Sequence, residues 1–190
     1  MVCLRFVAVL SVIFASGACG SETTAFRPTD KADDNDHAGP PGAVYDVEID
    51  GLSVAQVRVW SSGGYISATD QPATHLGFEI HNAGARPLVF DTRALELTVF
   101  DVGRAALAPT RLTTMAPLGP AEITVAPHAT IVRAAYFRIP VRPRGIDTMR
   151  LRWSVRYGDE RYLQVTSFVR DDDGPVIEHP TLIDAAAPRS

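Results

Sequence analysis

Three arginines in one segment are the side chains whose type and spacing best suit a binding chemistry. Arg150, Arg152 and Arg156 are separated by even numbers of residues, so on a β-strand they project from one face. Their planar guanidinium groups can donate paired hydrogen bonds to phosphate or carboxylate. We predict an anion-binding face for an acidic glycan, a lipid headgroup or an acidic partner. The alternative is that these arginines keep an exposed sheet face soluble and discourage edge pairing.

The strongest pattern for a metal site is formed by His75, Glu79 and His81, which share the polar face of one predicted strand. At about 3.3 Å per residue, His75 and His81 lie about 20 Å apart, too far to share an ion. Glu79 and His81 would need a further ligand from a neighbouring strand, such as His128. The sequence also contains no nucleophile elbow, no zinc-protease helix motif and no phosphate-binding loop. We therefore predict a non-catalytic protein with no metal and no cofactor.

After the arginines and the histidines, the third candidate for chemistry is the thiol of Cys19. This residue follows Arg5 and the mostly apolar run 6–15. A basic residue, a short apolar run and small residues in this order are typical of an export signal. The run is too short to span a bilayer. Because Cys3 lies inside the predicted signal, removal of the signal leaves Cys19 as the single cysteine of the mature chain.

The segment Ser16-Gly17-Ala18-Cys19 resembles the lipobox of bacterial lipoproteins, with Ser16 where that family most often has leucine. The resemblance implies cleavage before Cys19, a diacylglycerol thioether on its sulfur and a fatty acid such as palmitate on its amine. It thus implies a membrane anchor, and the Gly20 that follows slightly favours the outer membrane, facing the periplasm or the cell surface. The alternative is ordinary signal peptidase cleavage, since Ser16 and Ala18 also suit a small-x-small site.

Polar segments with few large apolar residues flank the central region. The sequence predicts a signal peptide over 1–18, a flexible acidic linker over 19–43, a folded domain over 44–170 and an acidic C-terminal tail over 171–190. The whole chain carries a formal charge of −4 and has a pI near 5.7. Nucleic-acid-binding proteins normally carry a basic excess, so we predict no nucleic-acid partner.

Alternation of apolar and polar residues dominates the predicted domain, as expected of half-buried strands. The longest run sets Met149, Leu151, Trp153, Val155 and Tyr157 against Arg150, Arg152, Ser154 and Arg156. Shorter runs or strand-like segments occupy 45–50, 53–60, 75–81, 87–92, 95–99, 122–126, 130–139 and 162–169. Short strands separated by turns indicate an all-β, antiparallel two-sheet sandwich with Trp153 in its core. A barrel is the main structural alternative.

Four segments of this pattern are similar to the immunoglobulin-like domains of uncharacterised secreted bacterial proteins. They are Leu76-Gly77-Phe78-Glu79-Ile80-His81-Asn82, Leu95-Glu96-Leu97, Ile123-Thr124-Val125-Ala126-Pro127 and Phe137-Arg138-Ile139-Pro140. The similarity extends to the telokin-like type and to the type found in a bacterial intracellular proteinase inhibitor. It implies an immunoglobulin-like fold and assigns no functional residue.

These observations predict a lipid-anchored cell-envelope protein whose sandwich is a non-catalytic interaction or structural module. Its expected partners are the membrane, through the N-terminal lipid, and an envelope protein or acidic glycan. The alternative is an exported enzyme or protease inhibitor whose site is assembled from scattered loop residues.

Overall fold

Two antiparallel β-sheets packed face to face form the body of the protein. The computed structural model describes residues 23–29, 32–33, 40–67, 69–112 and 121–173. The strands in them are β1 (Ala25–Pro28), β2 (Ala32–Asp33), β3 (Gly42–Ile49), β4 (Leu52–Ile66), β5 (Pro72–Asn82), β6 (Leu88–Asp91), β7 (Glu96–Asp101), β8 (Ala106–Leu107), β9 (Thr110–Leu112), β10 (Glu122–Val125), β11 (Thr130–Arg138), β12 (Ile146–Tyr157) and β13 (Glu160–Asp171). Short 3-10 helices occupy Thr92–Ala94 and Pro143–Gly145. Within these ranges no helix has the length and apolarity that crossing a membrane requires.

The strands divide into a seven-stranded and a six-stranded sheet. The first follows the order β1-β13-β12-β6-β10, with β7 also pairing with β12 and β8 pairing with β7. The second follows the order β2-β3-β4-β5-β11-β9. The predicted all-β antiparallel two-sheet sandwich is confirmed, and its two sheets do not close into a barrel.

The core lies between the sheets and is centred on the fully buried Trp153 of β12. Its indole ring meets the ring of Tyr45, from the opposite sheet, edge-on at 5.4 Å between centroids. Its Nε1 donates a hydrogen bond of 2.9 Å to Oγ1 of the buried Thr166. Burial of the large ring therefore leaves its one polar group satisfied. The alternation predicted for this strand is confirmed, since apolar side chains are buried while Arg150 and Arg152 are exposed.

The N-terminal segment enters the sandwich, so the predicted linker over 19–43 is wrong in part. β1 pairs with the end of β13, with Ala25 opposite Asp171. Phe26 is only 2% exposed and belongs to the core. Thr24 forms an isolated bridge with Gly64 of β4. A single large apolar residue among polar ones looks like a linker in sequence, but one such residue is enough to hold a short edge strand when a core lies beside it.

Ser62-Gly63-Gly64 lies within β4, at a break in the β4–β5 register. Gly63 has a φ of +101°, and a Cβ there would lie 2.6 Å from the carbonyl oxygen of Thr24. A Cβ at Gly64 would lie 2.9 Å from the Cβ of Pro143. Both positions thus need glycine because neighbouring groups approach too closely for a side chain.

We expect Trp153→Ala to lower the free energy of unfolding by about 3 to 5 kcal/mol, because it opens a cavity between the sheets. Urea denaturation followed by circular dichroism measures this change. The matched control is Leu52→Ala, since Leu52 is a large side chain that is mostly exposed. The control should change stability by less than about 0.5 kcal/mol. Equal shifts in the two variants would contradict the placement of Trp153.

Candidate functional site

The predicted arginines lie together on the outward side of the seven-stranded sheet. Arg150, Arg152 and Arg156 are exposed on β12, and β13 adds Arg161 directly opposite Arg156. We call these four residues the arginine face. Two like charges opposite each other on neighbouring strands repel, so this arrangement needs compensation from elsewhere.

Carboxylates from three other strands supply that compensation. Arg152 lies 3.2 Å from Glu96 of β7, and Arg156 lies 3.4 Å from Glu122 of β10. Arg161 lies 3.7 Å from Asp91 of β6. The arginine side chains in these pairs are about half exposed, so each pair stabilises the fold by at most about 1 kcal/mol. The acidic partners can therefore be exchanged for a ligand at low cost.

Arg150 differs from the other three because no carboxylate pairs with it among the described residues. Its guanidinium lies 5.1 Å from the ring centroid of Phe100 on β7. Such a cation–π contact at an exposed site contributes about 0.5 to 1 kcal/mol and leaves the guanidinium donors open to water or to an anion.

A buried serine and two apolar side chains complete this surface. Ser154, which is nearly fully buried, accepts hydrogen bonds of 3.2 and 3.0 Å from the guanidinium of Arg161. Leu163 and Val165 on β13 are 46% and 43% exposed. They lie opposite Ser154 and Arg152. The surface thus combines cationic groups with an apolar strip.

His75 and His81, two of the histidines considered for a metal site, lie on the outward side of the other sheet and are engaged with hydroxyl groups, whereas His128 lies in the turn between β10 and β11. Nδ1 of His75 lies 2.7 Å from Oγ of Ser62, and Nδ1 of His81 lies 3.0 Å from Oγ1 of Thr130. The His75 ring also lies 4.7 Å from the ring of Tyr136. Within the described parts of the chain, no three His, Cys, Asp or Glu side chains are placed to hold a metal ion.

A tryptophan that sequence reasoning overlooked covers the middle of this second face. Trp60 lies directly across from Gly77, and a Cβ at Gly77 would be 2.1 Å from the indole ring. The guanidinium of Arg58 lies 5.1 Å from the same ring and donates to the carbonyl oxygen of Pro40 at 2.7 Å. Gly77 inside an alternating strand was the available signal, because such a glycine often marks a close approach.

Burial raises the pKa of three tyrosines. Desolvation, with a smaller contribution from Tyr136, raises the pKa of Tyr65 to about 12. Desolvation also raises the pKa of Tyr136. For Tyr162 it acts together with the carboxylates of Asp46 and Glu48 to raise the pKa. All three phenols therefore stay protonated and neutral near pH 7, where they can donate hydrogen bonds but do not act as bases.

The turns at one end of the sandwich are held by a buried asparagine. Nδ2 of Asn82 lies 2.8, 3.0 and 3.1 Å from the carbonyl oxygens of Arg86, Val125 and Ala126. Its Oδ1 accepts a hydrogen bond of 3.0 Å from the backbone of Gly84. The sequence predicts only a turn here, whereas the structure shows a side chain that joins the ends of both sheets.

We expect Gly77→Val to lower the free energy of unfolding by about 1 to 3 kcal/mol, because the new side chain overlaps the Trp60 ring. Urea denaturation measures the loss. Gly145→Ala is the matched control, since a Cβ there meets nothing closer than 3.9 Å. Trp60→Ala combined with Gly77→Val should cost less than the two single changes added together. Simple additivity would show that the ring does not lie on Gly77.

Comparisons with known proteins leave the family of this chain open. No protein-family model matches it, and no curated protein matches it. A structural-genomics target protein of known structure has 10% identity and a TM-score of 0.41, with 62% of this chain and 84% of the other covered. A FixG-related protein from Vibrio parahaemolyticus has 7% identity and a TM-score of 0.40, with coverages of 62% and 97%. The yjhA protein from Bacillus subtilis has 10% identity and a TM-score of 0.35, with coverages of 59% and 92%.

Proposed function

We propose that this chain is an exported cell-envelope protein, anchored by a lipid on Cys19, whose sandwich is a non-catalytic binding module for an acidic glycan. The arginine face carries the proposal. It presents four exposed guanidinium groups on two neighbouring strands. Three of them pair with carboxylates, which occupy the position that an acidic ligand would take.

The length of the arginine face favours a polymer over a small anion. Arg150 and Arg156 are six residues apart on one strand, which corresponds to about 20 Å. Arg161 continues the row onto the next strand, about 5 Å to the side. An extended polymer with repeated carboxylates can meet several of these groups at once, whereas a single phosphate ion meets one or two.

The apolar strip beside the arginines suits the same ligand. Leu163 and Val165 offer C–H groups at the level of the guanidinium donors. Sugar rings carry both C–H faces and polar edges, so a glycan can use both parts of the surface. The exposed charges are screened by salt, and the affinity should therefore fall as ionic strength rises.

The proposed anchor rests on the sequence around Cys19, which lies outside the described residues. A diacylglycerol group with an additional acyl chain makes membrane attachment stable, whereas one chain alone is marginal. The proposal of a non-catalytic module is supported by His75 and His81, whose ring nitrogens are engaged with hydroxyl groups.

We expect the combined change of Arg150, Arg152 and Arg156 to Gln to weaken binding to polygalacturonate by at least about tenfold, a loss of about 1.4 kcal/mol. Isothermal titration at low ionic strength, with dextran as a neutral polymer, measures the difference. The control changes Arg104, Arg138 and Arg142 to Gln, which are exposed arginines outside the arginine face. Equal losses in both triple variants, or binding of the wild type that does not respond to salt, would refute the proposed face.

We expect Cys19→Ser to abolish palmitate incorporation and to remove the protein from the membrane fraction, because serine lacks the sulfur that carries the thioether. Metabolic labelling with radioactive palmitate and fractionation of cells measure both effects. Cys3→Ser is the matched control and should leave both unchanged, since the signal is removed. Unaltered labelling of the Cys19 variant would exclude lipidation at this residue.

A further inference from the structure

The N-terminal segment is attached to both sheets just after the proposed lipid site. The backbone N–H of Thr24 donates to the carbonyl oxygen of Gly64 at 2.9 Å, and the N–H of Gly64 donates back at 2.8 Å. One residue later, β1 pairs with the end of β13 and buries Phe26. The chain is therefore attached to the folded body at Thr24 and along β1.

This attachment leaves only a short stretch between the lipid and the body. Five residue steps separate Cys19 from Thr24, and a fully extended chain spans at most about 3.6 Å per step. The attachment point on the body therefore lies at most about 18 Å from the lipidated residue. The predicted linker of 19–43 would have allowed a reach several times longer.

The body is longer than this reach. Ala25 lies opposite Asp171 at one end of β13, while Glu160 begins the same strand at the other end. Eleven residue steps at about 3.3 Å give a length of about 36 Å between them. We call the end near Thr24 the proximal end, with the turn at 69–70, and the opposite end the distal end, with the turn over 158–159.

We propose that docked β1 acts as a short leash, so that the proximal end faces the lipid surface and the distal end is presented away from it. The proposal rests on the proposed lipid anchor at Cys19. Because about 36 Å exceeds about 18 Å, the body cannot stand inverted on the anchoring bilayer, with its distal turns against the lipid and its proximal end uppermost, while β1 stays docked. The partner of the proximal end is thus the membrane itself.

The side chains at the proximal end are compatible with a headgroup layer. Val102 is 65% exposed, and its backbone N–H donates to the carbonyl oxygen of Gly145. Arg142 and Arg144 are exposed on the same loop. Apolar side chains with arginines beside them suit the membrane interface. Arg142 lies 3.9 Å from Asp70, and Arg170 lies 3.0 Å from Asp172, so carboxylates offset part of the positive charge at this end.

Side-chain contacts hold the turns of the distal end in place. Asn82 holds the turn after β5 to the end of β10. The hydroxyl of Tyr157 accepts a hydrogen bond of 3.1 Å from the backbone of Arg86, and the Arg86 guanidinium lies 6.0 Å from the same ring. Turns held by such hydrogen bonds keep their shape when the distal end points away from the membrane.

Energy transfer to labelled lipid tests the orientation. The processed chain, beginning at Cys19, is coupled through this thiol to maleimide-bearing lipid in phosphatidylcholine vesicles that contain a headgroup-labelled acceptor. A donor dye is attached to p-azidophenylalanine at position 69 or at position 159, both exposed. Because transfer to a layer of acceptors falls steeply with the height of the donor above it, and the two positions lie at opposite ends of a body about 36 Å long, we expect at least about threefold higher efficiency at position 69 than at position 159.

A lengthened leash provides the control. Insertion of a Gly/Ser segment of 20 residues after Gly20 should make the two efficiencies converge, while circular dichroism shows an unchanged fold. Equal efficiencies with the native leash would overturn the proposal. Because coupling to the vesicle is chemical, this result is independent of lipidation in cells. A negative palmitate experiment would refute the anchor, whereas equal transfer efficiencies would refute the leash.

Discussion

The packing of β12 between its neighbours is the constraint on which the rest of the structure depends. Its alternating side chains place Trp153 between the sheets, against Tyr45 and with its N–H bonded to Thr166. The same alternation forces Arg150 and Arg152 outward. A shift of one residue in the register would bury the arginines and expose the indole, at a cost far above the net stability of a domain. Core packing therefore fixes the direction of the candidate binding groups.

Cross-strand neighbours convert the outward arginines into a surface with defined chemistry. Glu96 and Glu122 come from strands that are distant in sequence and meet Arg152 and Arg156 only because the sheet brings them side by side. Exposed ion pairs of this kind contribute little to stability. They do offset the repulsion between the arginines.

The docked N-terminal strand connects the fold to the proposed location of the protein. Phe26 and the backbone of Thr24 close one edge of the sandwich by contacts with both sheets. An edge strand held in this way protects backbone groups from pairing with other chains. It also shortens the segment that would connect the proposed lipid on Cys19 to the folded body. The same contacts therefore contribute to stability and set the length of chain between Cys19 and the folded body.

Sequence alone predicted the features that depend on local periodicity and composition. The alternation around Trp153 predicted a strand, its buried face and its exposed arginines, because the side-chain period of a strand is independent of its neighbours. The docking of β1, the acidic partners of the arginines and the contact between Trp60 and Gly77 were decided by the tertiary structure alone. Each of these joins residues from different strands, and no local pattern records which strands become neighbours. The proposed lipidation of Cys19 likewise rests on a few adjacent residues, whereas the length of chain between Cys19 and the folded body was decided by the tertiary contacts of Thr24 and Phe26.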